Sequence, residues 1–403
     1  MFLELCLAVF LGLVCGIVTG LLPGLHVNLL AQIVVSLCFS FSFSFSSQIP
    51  LVFLVALALS NSFFSFLPPL FIGTAQSDTA LVLLPAQQMM QEGLFQDAVF
   101  LSALGSVLGL VFALLCTPLL LLFLESAYSF FKVILVFVLF AVVIFLILSE
   151  KGWNEKFWAF LLVLLVCSLG LLVLDSPLFA NPLLLLFSGL FGVSSLLYSF
   201  FLGSLSFPEQ KKKRQVSLSL KEIFLGVGVG GLSAVLCSVS PGLGSSQAGL
   251  LFSGFFRKSG KAVSVLSLSA ITTIDFVVSI ATFFVLGRAR NGAVVGMQNL
   301  VFELDSQTFL LLLSVAAVVG FLCYLLMPVL ASFLLKFFQC ISLKILFLCL
   351  LCFLLFLVFY FEGFFGILAC LCATSLGLLC LLLGVRRVHL CSVLVLPFAL
   401  SLL

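Results

Sequence analysis

The chain has 403 residues, of which 64% are hydrophobic and 8% are charged, and its mean hydropathy is +1.44. Because soluble domains carry roughly 25% charged residues, this composition excludes a water-soluble fold. The formal net charge of +3 is too small to indicate a nucleic-acid partner. Apolar stretches long enough to cross a bilayer as helices, about 17 residues or more, recur along the chain. They predict an all-α polytopic membrane protein.

The first apolar stretch is interrupted at L21-L-P-G-L-H-V-N28. Proline and glycine are the residues that most disturb a helix interior, and here the polar residues His26 and Asn28 follow them. Inside a membrane, irregular backbone is tolerated only where it is buried in protein or lines a water-filled cavity. The break at Pro23 and Gly24 therefore predicts a polar site within the membrane. A proline kink that only shapes helix packing is the alternative.

Several spans are predicted between this break and the middle of the chain, at residues 49–66, 97–124, 130–149, 156–174 and 182–205. The end of the first of these spans and the segment that follows it, up to Ala80, add a second polar layer to this half. This layer contains Asn61, Thr74 and Asp78.

A basic stretch, F207-P-E-Q-K-K-K-R-Q-V-S-L-S-L-K221, lies near the midpoint of the chain. Because short basic loops next to spans remain on the cytoplasmic side, we expect this linker to be cytoplasmic, and an anionic-lipid patch is a further interpretation. The linker divides the chain into a first membrane repeat (1–206), the linker itself (207–221) and a second membrane repeat (222–403).

The second repeat begins with a segment, residues 222–256, that is flanked by basic residues and contains V239-S-P-G-L-G-S-S-Q-A-G249. If both flanks are cytoplasmic, the segment enters and leaves on one side, as a re-entrant hairpin of two half-helices. An odd number of spans between the two breaks then places the first hairpin on the opposite side. The prediction is a protein of about 10–12 helices in two pseudo-symmetric, inverted repeats, as in many secondary transporters.

The two halves also align beyond the breaks. Pro23-Gly24 corresponds to Pro241-Gly242, and Asn61 corresponds to Asp275, with a short gap between the two sets of matches. Charge inside a membrane tends to mark function, so Asp78 and Asp275 are candidates to couple Na⁺ or H⁺. A charge at the membrane interface is the alternative for both aspartates. Arg288 is a candidate to meet an anionic substrate, and a topology-determining role is its alternative.

Metal and cofactor sites are not expected. His26 and His389 are the only histidines, and the C-x-x-C of Cys349 and Cys352 has no His or carboxylate nearby, whereas a structural zinc ion needs four ligands. No Walker-type phosphate loop and no convincing catalytic constellation is present, so the sequence predicts neither a cofactor nor an enzyme.

The succession G16-I-V-T-G-L-L-P-G24, F66-L-P-P-L-F-I-G-T-A-Q-S-D-T-A-L-V-L-L-P85, S240-P-G-L-G244 and L286-G-R-A-R-N-G-A-V-V295 resembles the large permease subunit of the tripartite tricarboxylate transporters, the TctA-like family. The resemblance implies secondary uptake of a carboxylate with Na⁺ or H⁺, assisted by a small membrane subunit and an extracytoplasmic binding protein. The first motif departs from the glycine-rich P-G-L-G of the tricarboxylate branch and is similar to a divergent, archaeal-type branch. The substrate and the need for partners therefore do not carry over.

By position, the resemblance and the breaks together select the substrate-binding candidates Pro23, Gly24, His26, Asn28, Asn61, Thr74, Pro241, Gly242, Gly244, Ser245, Ser246 and Arg288. The resulting hypothesis is a transporter of the cell membrane that moves a small anionic solute by alternating access, against a scaffold formed by residues 130–205 and 343–403. A channel, a lipid- or polyprenyl-linked translocase and a non-transporting structural subunit are the alternatives, and the oligomeric state, including a homodimer, stays open.

Overall fold

A computed structural model of the chain describes residues 2–22, 48–72, 83–174, 176–202, 209–211, 214–239, 253–289, 291–340 and 343–395, with isolated positions between 27 and 38 and at 249 and 397. Within these residues the secondary structure is helical, without β-strands. In the same part of the chain, eight helices are long and apolar enough to cross a membrane. The predicted class, an all-α polytopic membrane protein, is confirmed.

The helices before the linker are α1 (Phe2–Leu21), α2 (Gln48–Phe64), α3 (Leu67–Ile72), α4 (Leu83–Gln91), α5 (Phe95–Leu148), α6 (Trp153–Leu174), α7 (Pro182–Phe187) and α8 (Ser194–Leu202), with a π-helical segment (Ser188–Val193) between α7 and α8. The helices after it are α9 (Leu220–Val239), α10 (Ser253–Leu286), α11 (Gly292–Leu300), α12 (Ser306–Cys340) and α13 (Leu343–Leu382), followed by a 3₁₀-helix (Arg387–Leu394).

Helix α5 joins two spans that the sequence analysis separated, 97–124 and 130–149. It has 54 residues, far more than the roughly 20 that one crossing requires, and contains the apolar stretches Phe95–Ser126 and Val136–Leu148. The sequence analysis placed a boundary between two spans at residues 125–129. However, residues 119–148 contain neither glycine nor proline, so no helix-breaking residue ends the helix there.

The predicted hairpin of residues 222–256 is only partly within the described residues. Its first arm, α9, has 20 residues and is therefore about 30 Å long, and Leu220–Cys237 is apolar and long enough to span a membrane by itself. The break at Pro241 and Gly242 lies outside the described residues. The re-entrant geometry therefore stays a prediction.

The helices pack in two groups. In the first, which we call the break group, α1 packs on α2, α10 packs on α5 and α9, and α12 packs on α2 and α5. In the second, the scaffold group, α13 packs on the α7–π–α8 unit, and α6 packs on the 3₁₀-helix. The C-terminal part of α5 joins the scaffold group, where Leu139 and Leu146 form a buried apolar cluster with Val163 and Val388. Helix α5 therefore belongs to both groups.

Glycines set the close approach of α1 to α2. A Cβ atom built on Gly12 would lie 2.6 Å from the carbonyl oxygen of Phe53 and 2.8 Å from the Cβ of Ala56. Gly16 is tighter still, because its Cβ would lie 2.3 Å from the carbonyl oxygen of Leu57. Small residues of this kind allow membrane helices to pack backbone against backbone.

The same approach recurs between α9 and α10. A Cβ atom built on Gly230 would lie 3.1 Å from the carbonyl oxygen of Ser267 and 3.1 Å from the Cβ of Ala270. Gly230 corresponds to Gly12 in the alignment that matches the two Pro-Gly breaks. Ser267 and Ala270 correspond to Phe53 and Ala56 in the alignment that matches Asn61 with Asp275. The two helix pairs therefore make their close contacts at equivalent positions.

Candidate functional site

Most of the predicted site lies outside the described residues. This applies to Pro23, Gly24, His26, Asn28, Thr74, Asp78, Pro241, Gly242, Gly244, Ser245 and Ser246. The structure describes Asn61, Asp275 and Arg288, together with α1 and α9, the helices that lead to the two breaks. The assignment of a substrate site to these residues stays a prediction.

Asn61 is buried on α2 and bonds to α1 just before the first break. Its Nδ2 donates to the hydroxyl oxygen of Thr19 at 3.1 Å. The Thr19 hydroxyl in turn donates to the carbonyl oxygens of Cys15, at 3.0 Å, and Gly16, at 3.1 Å. This chain of hydrogen bonds fixes the last turn of α1 against α2. Sequence reasoning missed Thr19, although it lies inside the G16-I-V-T-G20 stretch that carried the family resemblance.

Asp275 lies half-buried on α10, within the span Gly260–Leu286. The hydroxyl groups beside it bond to backbone. Thr272 donates to the Ser269 carbonyl oxygen at 3.0 Å, and Thr273 donates to the Ser106 carbonyl oxygen on α5 at 2.9 Å. The Thr273 bond holds α10 against α5. Asp275 therefore lies next to a helix contact that connects the two halves of the chain.

Arg288 lies on the surface, beyond the end of α10. The chain turns there at Gly287, whose φ of +62° is in the left-handed region that favours glycine. The Arg288 side chain donates to the hydroxyl of Tyr128 on α5, and its guanidinium carbon lies 5.4 Å from the centroid of the Tyr128 ring. Among the predicted site residues that the structure describes, Arg288 is the exposed one, whereas Asn61 is buried.

A buried ionic cluster in the scaffold group was not predicted. Glu150, between α5 and α6, is buried, and its Oε1 lies 2.8 Å from Nε of Arg386 and 2.8 Å from Nε2 of His389. Burial alone would raise the pKa of Glu150, but hydrogen bonds from His389 and Arg386, together with their charges, outweigh burial and hold the pKa below its ordinary value. Arg386 also donates to the carbonyl oxygen of Leu146 at 3.1 Å. The cluster therefore stabilises the contact between the 3₁₀-helix and the end of α5.

Glu362, in the second half of the chain, makes a similar contact with the first half. Its carboxylate, on α13, accepts from the backbone N–H groups of Ala180 at 2.9 Å and Asn181 at 2.6 Å, immediately before α7. Glu150 likewise accepts from the backbone N–H of Arg386, at 3.4 Å, immediately before the 3₁₀-helix. Each half of the chain thus supplies a glutamate that binds the backbone just before the last helical unit of the other half, which is the 3₁₀-helix for Glu150 and the α7–π–α8 unit for Glu362.

The linker is bound to the break group. Asp97, buried in the first turn of α5, accepts from the backbone N–H groups of Gln215 at 3.0 Å and Val216 at 2.9 Å. The backbone N–H of Lys211 donates to the carbonyl oxygen of Gly93 at 3.0 Å. The described part of the linker therefore lies along the α4–α5 connection.

Among the described residues, no group of three or more His, Cys, Asp or Glu side chains is placed to hold a metal ion. The Cys349 and Cys352 thiols are free and exposed on α13.

Comparison with known proteins gives one family. The model of the tripartite tricarboxylate transporter TctA family matches residues 6–392. An uncharacterized protein of Methanocaldococcus jannaschii is 25% identical over 304 residues, which cover 73% of this chain and 72% of that protein. This similarity to an archaeal protein is consistent with the archaeal-type branch that the motifs indicated. No solved structure matches the chain.

Proposed function

Because the chain belongs to the tripartite tricarboxylate transporter TctA family, we propose that it moves a small anionic solute, a carboxylate, across the membrane by secondary transport coupled to Na⁺ or H⁺. Its family is one of transporter permease components rather than of enzymes, and the chain is a multi-pass membrane protein. The observation that carries the proposal is the family match over nearly the whole chain, whose described residues contain eight candidate spans.

The substrate site in this proposal is formed by the two Pro-Gly breaks. The described helices support it in two ways. Helix α1 ends at Leu21, just before the first break, and α9 is described up to Val239 and leads toward the second break. Each of these helices is also packed on its neighbour through glycines at equivalent positions, Gly12 and Gly230. Equivalent packing of this kind is expected if the halves are repeats that place both breaks at one site.

Alternating access in this proposal is a movement of the break group against the scaffold group. The grouping of helix contacts supports it, because the principal packing is within each group and α5 contributes to both. The chain passes from the break group to the scaffold group at two places. The first is within α5, and the second is between the end of α12 at Cys340 and the start of α13 at Leu343. Bending at these two places would move one group without unpacking the other.

The surroundings of the permease follow from the same assignment. We place it in the cell membrane with the linker, residues 207–221, in the cytoplasm. The family works in a tripartite system with a small membrane subunit and an extracytoplasmic binding protein, and we extend both partners to this chain. The roles of Asp78 and Asp275 as ion-coupling residues, and a homodimeric assembly, belong to the same proposal.

The proposal is tested by uptake of labelled di- and tricarboxylates into proteoliposomes under an imposed Na⁺ or H⁺ gradient. We expect gradient-dependent uptake that is lost in the Pro241→Ala/Gly242→Ala variant, in His26→Ala and in Asn61→Ala. The exposed Asn299 on α11 provides a matched control, and Asn299→Ala should transport normally. Uptake that is independent of both gradients would contradict coupling, and full activity of all the break variants would contradict the site.

A further inference from the structure

Arg387 is a buried cation whose guanidinium group has free donors. It lies at the start of the 3₁₀-helix and is only 7% exposed. One terminal nitrogen, Nη2, donates to the carbonyl oxygen of Phe191, at 2.9 Å, and to the hydroxyl of Ser195. Its other two nitrogens, Nε and Nη1, are buried and have no hydrogen-bond acceptor among the described residues. The guanidinium therefore has donors on two of its three nitrogens left to bind a ligand.

The neighbouring ionic cluster does not supply the missing negative charge. Glu150 is the buried carboxylate of this region, and its Oε1 is already bound by Arg386 and His389. Among the described residues, the ion pairs of Glu150 involve those two residues and not Arg387. In a 3₁₀-helix successive residues are rotated by about 120°, so Arg387 faces away from the side of the helix on which His389 contacts Glu150.

The described groups that accept hydrogen bonds from Arg387 or lie over its guanidinium are neutral. They belong to the π-helical segment and the start of α8: the Phe191 carbonyl, the Phe191 ring, whose centroid lies 5.4 Å from the guanidinium carbon, and the Ser195 hydroxyl. An unpaired charge in a protein interior is strongly unfavourable, and arginine keeps its proton under essentially all conditions. A π-helical segment is rare and frequently occurs at functional sites. The arrangement is that of an anion site.

We propose that Arg387 binds a small anion of single negative charge, chloride or a short carboxylate of the size of formate, through Nε and Nη1 inside the scaffold group. The anion compensates the buried charge and so stabilises the contact between the 3₁₀-helix and the π-helical segment. This site is separate from the Pro-Gly breaks and does not depend on the proposed transport activity.

The test is thermal unfolding of the purified full-length protein in chloride, in formate and in gluconate, a bulky anion, at one ionic strength and one pH. We expect a saturable rise in Tm with chloride or formate over gluconate. A rise with chloride alone assigns a halide site, a rise with formate alone assigns a carboxylate site, and a rise with both assigns a site selective only for size. An identical Tm in all three anions overturns the proposal.

Two variants connect the effect to Arg387. Arg387→Met removes the charge and should abolish the dependence of Tm on the anion, whereas Arg214→Met, at an exposed arginine of the linker, should retain it. If Arg387→Met does not fold, Ser195→Asp decides, because it places a carboxylate beside Nη2 and supplies an internal counter-charge. Ser195→Asp should fold and lose the anion dependence. An undiminished anion response in Ser195→Asp, or in folded Arg387→Met, contradicts the assignment.

A direct measurement completes the test. Radiolabelled chloride or formate, whichever raises the Tm, should bind at one anion per chain, and Ser195→Asp should reduce this binding by at least tenfold. Binding of the labelled anion to Ser195→Asp with unchanged stoichiometry would place the anion elsewhere on the protein and refute the site.

Discussion

Replacing Glu150 by glutamine should destabilise the protein in a manner that depends on pH. The Glu150 side chain is 7% exposed, and its Oε1 is bound by both Arg386 and His389. Glutamine keeps the shape and the acceptor oxygen but removes the charge that both partners face. A hydrogen bond to a charged group contributes about 1.5–3 kcal/mol, and the loss of one partner from a fully buried pair costs about 3–5 kcal/mol. Because the Arg386 side chain is 27% exposed, we expect a loss of about 2–3 kcal/mol at neutral pH.

The pH dependence has a definite sign. The pKa of Glu150 is lowered in the folded protein, so its ionised form stabilises the fold at any pH above the ordinary pKa of a glutamate, about 4.3. This contribution is lost as the pH falls through the lowered pKa of the folded state. The unfolding free energies of the native protein and of Glu150→Gln should therefore differ at pH 7 and converge under acidic conditions.

The assay can use the native tryptophans. The chain contains only two, Trp153 and Trp158, both in the first turns of α6 directly after Glu150, so their fluorescence reports on this region during unfolding in detergent. Glu125→Gln, at an exposed carboxylate of α5, is the matched control and should behave as the native protein at every pH. A stability difference for Glu150→Gln that is the same at pH 7 and in acid would refute the role of the carboxylate charge.

Two further substitutions test the packing of the break group and of the linker. Gly16→Ala would place a Cβ 2.3 Å from a backbone oxygen of α2, and such overpacking lowers the free energy of unfolding by about 1–3 kcal/mol. The control is Gly228→Ala, where nothing lies within 4 Å, and this variant should be at least as stable as the native protein in thermal unfolding. Equal losses of stability in the two variants would contradict the close approach of α1 to α2. Asp97→Ala removes the acceptor of two linker N–H groups, so trypsin should cut at Lys211 and its neighbours several-fold faster than in the native protein. The control Glu209→Gln, at an exposed linker residue, should leave the cleavage rate unchanged. Equal cleavage rates in the native protein and in both variants would show that Asp97 does not hold the linker.

The sequence was sufficient for the membrane class and for the approximate positions of the helices, because apolar length alone determines both. The predicted span 156–174 corresponds to α6, and the predicted span 182–205 corresponds to the α7–π–α8 unit. The long helix α5 was divided in two, with the boundary placed at residues 125–129, a segment that contains Glu125 and Tyr128. The backbone lacks a helix-breaking residue there, and local polarity is a weaker determinant of helix ends than glycine or proline.

The contacts that fasten the scaffold could not be predicted from the sequence. Glu150 and His389 are separated by 239 positions, and Glu362 contacts backbone atoms that no side-chain pattern reveals. Glu150 lies at the end of one long apolar stretch and Glu362 lies between two such stretches, so the sequence indicates no partner for either carboxylate. Only the fold shows that each carboxylate is buried against the other half. In the same way, the sequence does not reveal that Thr272 and Thr273, beside Asp275, donate their hydroxyls to backbone oxygens.

The exchange of glutamate contacts between the halves constrains the order of events during biosynthesis. Glu150 is synthesised long before its partners Arg386 and His389, which are made only when almost the entire chain has been translated. Until then the end of α5 carries an unpaired carboxylate, and α6 lacks the 3₁₀-helix on which it packs. Helices α7 and α8 likewise lack their contacts with Glu362 and α13 until the second half of the chain has been made. A chain whose synthesis ends after the linker would therefore lack the contacts that complete the scaffold group, and membrane quality-control proteases can recognise such a product. An isolated first half should be short-lived unless the second half is supplied in the same membrane.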